Sequence, residues 1–282
     1  MNESVLIKII NFLESVTVID TETTGKDPDT CEIIEIASGF FKTSDWTISS
    51  KLFKPTLPIP PEASSKNNIS NKMVVNAPLM SEINKNELSN LIRQQDTELF
   101  VAHNSEFDRL VLLSNFKKNN NNIEGLLSNS NWLCTWRLSK AIFGVDFDSM
   151  QYSLNYLRYY LNLDIDDNLI AHRADADVLI CARLLERLLV EAIDRGLIDV
   201  DSDDYLGQLH KLCWDPLPVL TWPLGKHKGK KLTDIPTDYY LWAIQKLDKF
   251  EKGNEMYDLD LVLSVEKILN EREKNGDKAL IF

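Results

Sequence analysis

Asp20 and Glu22 stand two residues apart in the run Val18-Ile19-Asp20-Thr21-Glu22-Thr23-Thr24-Gly25. Val16 to Ile19 is apolar or β-branched throughout, so the run reads as a buried strand ending at the glycine. Side chains alternate along a strand, so residues two apart share a face. Two carboxylates are thereby forced together at the end of a buried strand. Burial sharpens their repulsion, and a cation between them relieves it. Oxygen-only ligands suit Mg²⁺ or Mn²⁺ rather than zinc. The competing reading is a solvated strand end, and Asp-x-Glu recurs too often by chance to decide alone.

Two further clusters have the same character. Val101-Ala102-His103-Asn104-Ser105-Glu106-Phe107-Asp108 reads as a strand end feeding a helix, with Asp108 in its first turn and Asn104 or Ser105 as the cap. An acid there could simply complement the helix dipole. His172-Arg173-Ala174-Asp175-Ala176-Asp177 opens a long amphipathic pattern, and acids in a first turn are again common.

Several elements must position these groups. Strands are expected at 32–41, 47–53, 98–102 and 132–135. Helices are expected at 3–14, 81–95, from 104 or 105 onward, and at 136–143, 153–162 and 174–192. The N-terminal helix should bury Val5, Leu6, Ile9, Ile10 and Leu13. Lys54 to Glu62 holds four prolines and reads as an extended connection. The run Lys117 to Asn122 reads as a polar loop. Strands mixed with helices in this order indicate an α/β layer structure. The acidic run Asp199 to Asp204 suggests a boundary, giving one domain over 1–200 and a small α-rich one over 206–282, with helices near 237–248 and 258–274.

With 44% hydrophobic and 26% charged residues the composition is that of a globular chain. Cys31, Cys134, Cys181 and Cys213 form no Cys-x-x-Cys pair, which argues against a zinc knuckle or disulfide framework and fits a reducing compartment. Glu3, Lys8 and Asn11 interrupt the N-terminal apolar run, so no signal peptide is expected, and no stretch is long enough to span a bilayer. A cytoplasmic protein is expected. The formal charge of −12 disfavours non-specific nucleic-acid binding over the whole surface but excludes neither a basic patch nor a metal-filled acidic cleft.

Together the three clusters are far more specific than any one. An Asp-x-Glu strand, an Asp at a strand-to-helix junction and a His five residues before an Asp, in this order, resemble the DEDDh group of 3′→5′ exonucleases. The resemblance spans roughly residues 15 to 193. It includes Ile34-Glu35-Ile36-Ala37, Pro61-Glu62-Ala63 and Asn68-Ile69-Ser70, and it points toward the exodeoxyribonuclease X and proofreading ε branches of the group. It implies a ribonuclease H-like mixed sheet flanked by helices. It also implies two Mg²⁺ or Mn²⁺ ions held by Asp20, Glu22, Asp108 and Asp177, with His172 as general base. Asp175 does not match the spacing and is expected to face solvent or cap the helix. Thr21, Thr23, Thr24 and Gly25 would line the terminal nucleotide, with backbone N–H groups toward the 3′ hydroxyl, and Asn104 would contact the substrate backbone or cap its helix. Lys26 to Thr30 departs from the tighter loop of the exodeoxyribonuclease X branch, which leaves the base-stacking residues unassigned.

Pro223-Leu224-Gly225-Lys226-His227-Lys228-Gly229-Lys230-Lys231-Leu232 packs four lysines and a histidine into six residues with no acid among them. It resembles a small Gly-Lys-x-x-Gly domain found beside some bacterial exonucleases, with Tyr239-Tyr240-Leu241-Trp242 in its packing helix. Lys226, Lys228, Lys230 and Lys231 would then meet a phosphate backbone, a solvated loop being the alternative. The spacing does not fit a Walker loop. The expected partner is DNA, as single strand or 3′ end. The alternatives are an RNA-trimming exonuclease and a non-catalytic nucleic-acid-binding module on the same fold.

Overall fold

The computed structural model describes residues 3–92, 97–119, 128, 132–144, 152–166, 169, 172–252 and 258–274. It divides into two compact units, one from Met1–Ile142 and Gln151–Cys213 and the other from Phe143–Met150 and Trp214–Phe282.

The first unit is built on five strands: β1 (Val16–Thr23), β2 (Ile33–Lys42), β3 (Asp45–Leu52), β4 (Leu99–Ala102) and β5 (Trp132–Cys134). Their order is β3-β2-β1-β4-β5, antiparallel from β3 to β1 and parallel from β1 to β5. Helices flank this mixed sheet, as expected for a ribonuclease H-like fold. They are α1 (Glu3–Ser15), α2 (Pro61–Asn67), α3 (Asn71–Val74), α4 (Lys85–Ile92), α5 (Ser105–Lys118), α6 (Thr135–Phe143), α7 (Leu154–Tyr160), α8 (Ala174–Asp194) and α9 (Tyr205–Trp214). None of the described helices is long and apolar enough to cross a membrane.

Helix α8 buries Val178, Cys181, Ala182, Leu185, Leu188 and Leu189 against the sheet, along with the neighbouring Ile180 and Leu184. It approaches β2 so closely that a Cβ on Gly39 would lie 2.7 Å from Val178 Cγ1 and 3.0 Å from Ile48 Cδ1. Glycine is therefore required at that point of the strand.

Several expectations need correction. Pro61 is the first residue of helix α2 rather than part of an extended link; proline lacks only an N–H that a first turn leaves unpaired anyway. Helix α1 buries Ile9, Phe12 and Leu13 but leaves Leu6 45% exposed, so its core face is rotated toward Phe12. Lys117 and Lys118 close α5 and Asn119 caps it, while 120–122 lie outside the described residues. Helix α9 packs with the first unit, which runs to Cys213. Cys213 Sγ accepts the Cys134 N–H at 3.2 Å, and Leu209 is buried with it.

The second unit has its own core of Trp222, Leu232, Ile235, Tyr240, Ala243, Leu261 and Val265. It contains α10 (Thr237–Lys246) and α11 (Leu259–Lys274). Arg272 on α11 donates to the carbonyls of Thr233 and Ile235 and to Thr237 Oγ1, tying α11 to the start of α10.

Candidate active site

Strand β1 has β2 as its neighbour along nearly its whole length, from Thr17 opposite Phe40 to Thr23 opposite Ile33. On its other edge the pairing with β4 ends at Val18, opposite Val101. Asp20 to Thr23 therefore project past the end of β4, at the place where the sheet changes from antiparallel to parallel. Ligands of α/β sheets gather at the carboxyl ends of strands at such switch points.

The backbone exposed there needs a partner. Asp108, in the first turn of α5, supplies it. Its Oδ1 accepts the Thr21 N–H at 3.0 Å and the Thr21 hydroxyl at 2.8 Å. Asn104 turns the chain from β4 into α5 with φ of +70°, a conformation asparagine tolerates better than most residues. Neither candidate cap forms: Asn104 makes no side-chain capping bond, and Ser105 Oγ is buried without a hydrogen-bond partner.

Asp20 and Glu22 share the other side of the strand, both half-buried, and Asp177 of α8 joins them. One carboxylate oxygen from each of the three lies within 4.8 Å of the others, close enough to hold a single metal ion. A bulge between Glu22 and Thr23 breaks the register at this point, a device common beside active sites. Asp175 is exposed and its Oδ1 accepts the Ala176 N–H, so it stands apart from the cluster.

Burial and mutual repulsion act on these acids together. Glu22 is pushed up to about 8, first by burial and then by Asp177, Glu35 and Asp108, with Arg173 opposing. Asp108 is raised to about 7 by burial, against the two hydrogen bonds from Thr21. Asp20 is raised well above its ordinary range by burial, then by Asp108, Asp177 and Glu22. Asp177 is raised by burial, with the His172 N–H holding it down. A set of acids that resists ionising until a cation arrives fits a divalent metal.

His172 precedes α8 with φ of +68°, a left-handed conformation that costs a β-carbon residue energy. Its N–H donates to Asp177 Oδ1 at 3.2 Å, and its side chain is exposed. The neighbouring Arg173 is anchored: Nε and Nη2 donate to the two oxygens of Glu35 at 3.0 and 2.8 Å, and the Ala174 N–H adds a third bond. Glu35 is fully buried and lies directly opposite Glu22 across β1 and β2. Sequence reasoning gave this pair no role. The signal was present as a lone charged residue in the run Ile33 to Phe41.

The threonines after Asp20 make hydrogen bonds within the chain. The Thr21 N–H and hydroxyl are both committed to Asp108, and the Thr24 N–H donates to Glu32 O at 2.9 Å. The Thr24 hydroxyl accepts the Glu32 N–H, and the Thr23 hydroxyl donates to the Gly25 carbonyl. Gly25 itself is exposed. Lys226, Lys228, Lys230 and Lys231 are exposed on the second unit.

An exonuclease family model matches residues 17–185, the stretch that carries every one of these acids. The chain belongs to this exonuclease family. It is a 3′→5′ exonuclease of the DnaQ-like kind. Relatives of this exonuclease include exodeoxyribonuclease 10 of Escherichia coli strain K12, 28% identical over 82% of this chain and 91% of that protein. The epsilon subunit of DNA polymerase III from Treponema pallidum is 32% identical over 61% of this chain and 75% of the subunit. Among solved structures, exonuclease X in complex with 5′-overhanging duplex DNA is 25% identical. It matches with a TM-score of 0.50 over 69% of this chain and 99% of that one. Escherichia coli exonuclease I with a dT13 oligonucleotide shares the fold, with a TM-score of 0.53 at 15% identity over 65% of this chain and 46% of that one.

Proposed function

We propose that this exonuclease acts on DNA, hydrolysing the phosphodiester bond at a 3′ end and releasing nucleoside 5′-monophosphates. The observation that carries this reading is the convergence of Asp20, Glu22 and Asp177 beside the buried Asp108. When bound by these four carboxylates, two Mg²⁺ or Mn²⁺ ions would stabilise both the attacking water and the departing 3′ oxygen of an in-line displacement. His172 takes the proton from the water, a role suited to an exposed imidazole on a loop beside Asp177. Thr21 orients Asp108, and the Glu35–Arg173 pair holds the turn that presents His172. Gly25, Thr23 and Asn104 border the terminal nucleotide. The four lysines of the second unit add phosphate contacts.

DNA rather than RNA is favoured by the relationship to exodeoxyribonuclease 10, which extends over most of both chains. Side-by-side digestion of labelled DNA and RNA strands of one sequence tests the choice. Faster loss of DNA, with 5′-monophosphates as product and no loss for Asp20→Ala, is expected. Faster loss of RNA would overturn it.

A further inference from the structure

The basic loop of the second unit is a closed structure. The Trp222 N–H donates to Lys230 O and the Gly229 N–H to Trp222 O, both at 2.8 Å, and the Leu232 N–H donates to Leu220 O at 2.7 Å. Gly225 and Gly229 make the turns at φ of +52° and +81°. Lys226, Lys228, Lys230 and Lys231 are thus displayed on a fixed frame, and none forms an ion pair among the described residues. The neighbouring acids Asp234 and Asp238 are engaged locally, with Thr233 and with the Tyr239 N–H.

Beside the lysines stands an aromatic strip. The Tyr239 ring lies 5.4 Å from the buried Trp222 and 4.4 Å from His227, edge-on to both. Lys226 Nζ sits 5.0 Å from its centre. One helical turn on, Trp242 lies 5.1 Å from Tyr239 at a 36° tilt, and it is 46% exposed. A large aromatic so open to water, held against a ring that is itself braced from below, has a face free for stacking.

We propose that Trp242 and Tyr239 form a base-stacking platform and that, with the four lysines, they make the second unit a sequence-neutral binding site for single-stranded nucleic acid. Cationic side chains tracking a backbone beside aromatic rings are the combination that binds single strands without reading sequence. A duplex keeps its base faces stacked inside and could meet only the lysines, so the aromatic strip selects an unpaired strand. This deepens the reading of the chain as a nuclease, whose polymer substrate it shares, but it requires no cleavage.

The test uses the full chain in EDTA, with fluorescence anisotropy on an oligothymidylate. The comparison strand has abasic sites at all but its 3′-terminal positions, so any grip on the 3′ end is common to both. The wild type should prefer the base-bearing strand by roughly 5- to 100-fold. Trp242→Ala should lose most of that preference with an unchanged salt slope, and Trp242→Phe should keep part of it. Replacing the four lysines should reduce the salt slope by about 0.7 per lost phosphate contact while keeping the base preference. Equal affinity of Trp242→Ala and wild type for both strands would overturn the proposal, as would a wild type indifferent to bases, which would leave the lysines as a general polyanion site. A matched ribo-oligomer separates DNA from RNA as the occupant. Hydrolysis in Mg²⁺ is measured separately, so failure of the platform and failure of the nuclease reading give different results.

Discussion

Arg173 has two tasks, holding the buried Glu35 with its guanidinium while its backbone leads from His172 into α8. The ion pair is asymmetric, since Arg173 is 27% exposed at its side chain and Glu35 not at all. Removing Glu35 leaves a cation that water can still reach. Removing Arg173 strands a carboxylate in the interior, directly across from Glu22. Arg173→Ala should therefore destabilise the fold by about 3–5 kcal/mol, the cost of an orphaned buried charge. Glu35→Gln keeps the shape and one acceptor and should cost clearly less. Urea denaturation of both variants checks the order; equal losses would contradict this asymmetry. His103 shows the opposite case, an imidazole with no part in the chemistry. Burial lowers it to about 4, so it is neutral, and its Nε2–H must donate to the Tyr152 carbonyl while Nδ1 faces the Thr135 hydroxyl.

The element that matters most for the site is α8, which carries Asp177 and rests on Gly39 of β2. Gly39→Ala would push a methyl into Val178 Cγ1 and Ile48 Cδ1, so α8 must shift by part of an ångström or unfold the contact. A loss of about 1–3 kcal/mol is expected for overpacking of this kind. A larger loss of metal-dependent activity than of stability is also expected, because Asp177 moves with Val178; thermal melts and hydrolysis assays on the same preparation would show it. Unchanged activity would mean that the sheet face is looser than it looks. This packing was only partly legible from sequence. The buried periodicity of α8 and the alternation of β1, which puts Asp20 and Glu22 on one face, could be read directly. Thr21 could not be read, because alternation says where its side chain points but not that its unpaired N–H would recruit Asp108. Helix α9 was hidden for another reason: Gly207 and the acidic run before it resemble a linker, and the burial of Leu209 and Cys213 that stabilises the helix is a tertiary contact. Prolines 60 and 61 misled likewise, since the same residues that end a strand can open a helix.

Over the whole molecule, a formal charge of −12 coexists with a carboxylate cluster able to hold a cation and with a lysine loop of the opposite sign. The cluster links metal, pH and stability. A carboxyl whose folded value is raised holds its proton longer in the native state, so its stabilising contribution is complete below its ordinary value near 4 and is lost as pH rises through the folded value. For Glu22 and Asp108 that loss extends to about 8 and about 7. In EDTA, the melting temperature should therefore decline from about pH 4 to about pH 8, and less steeply in a Glu22→Gln variant. Added Mg²⁺ or Mn²⁺ should raise it most at the alkaline end, where the ligands are charged. A metal effect independent of pH would contradict the linkage.

The most direct test lies in two acids of one helix turn, Asp175 and Asp177. Hydrolysis of a 3′-labelled single-stranded DNA in Mg²⁺ should fall by about 100-fold or more in Asp177→Asn, which removes a member of the cluster. It should stay within a factor of about 2 in Asp175→Asn, which alters only a solvated side chain. Equal activity of the two variants, or the greater loss at Asp175, would contradict the assignment of the metal site.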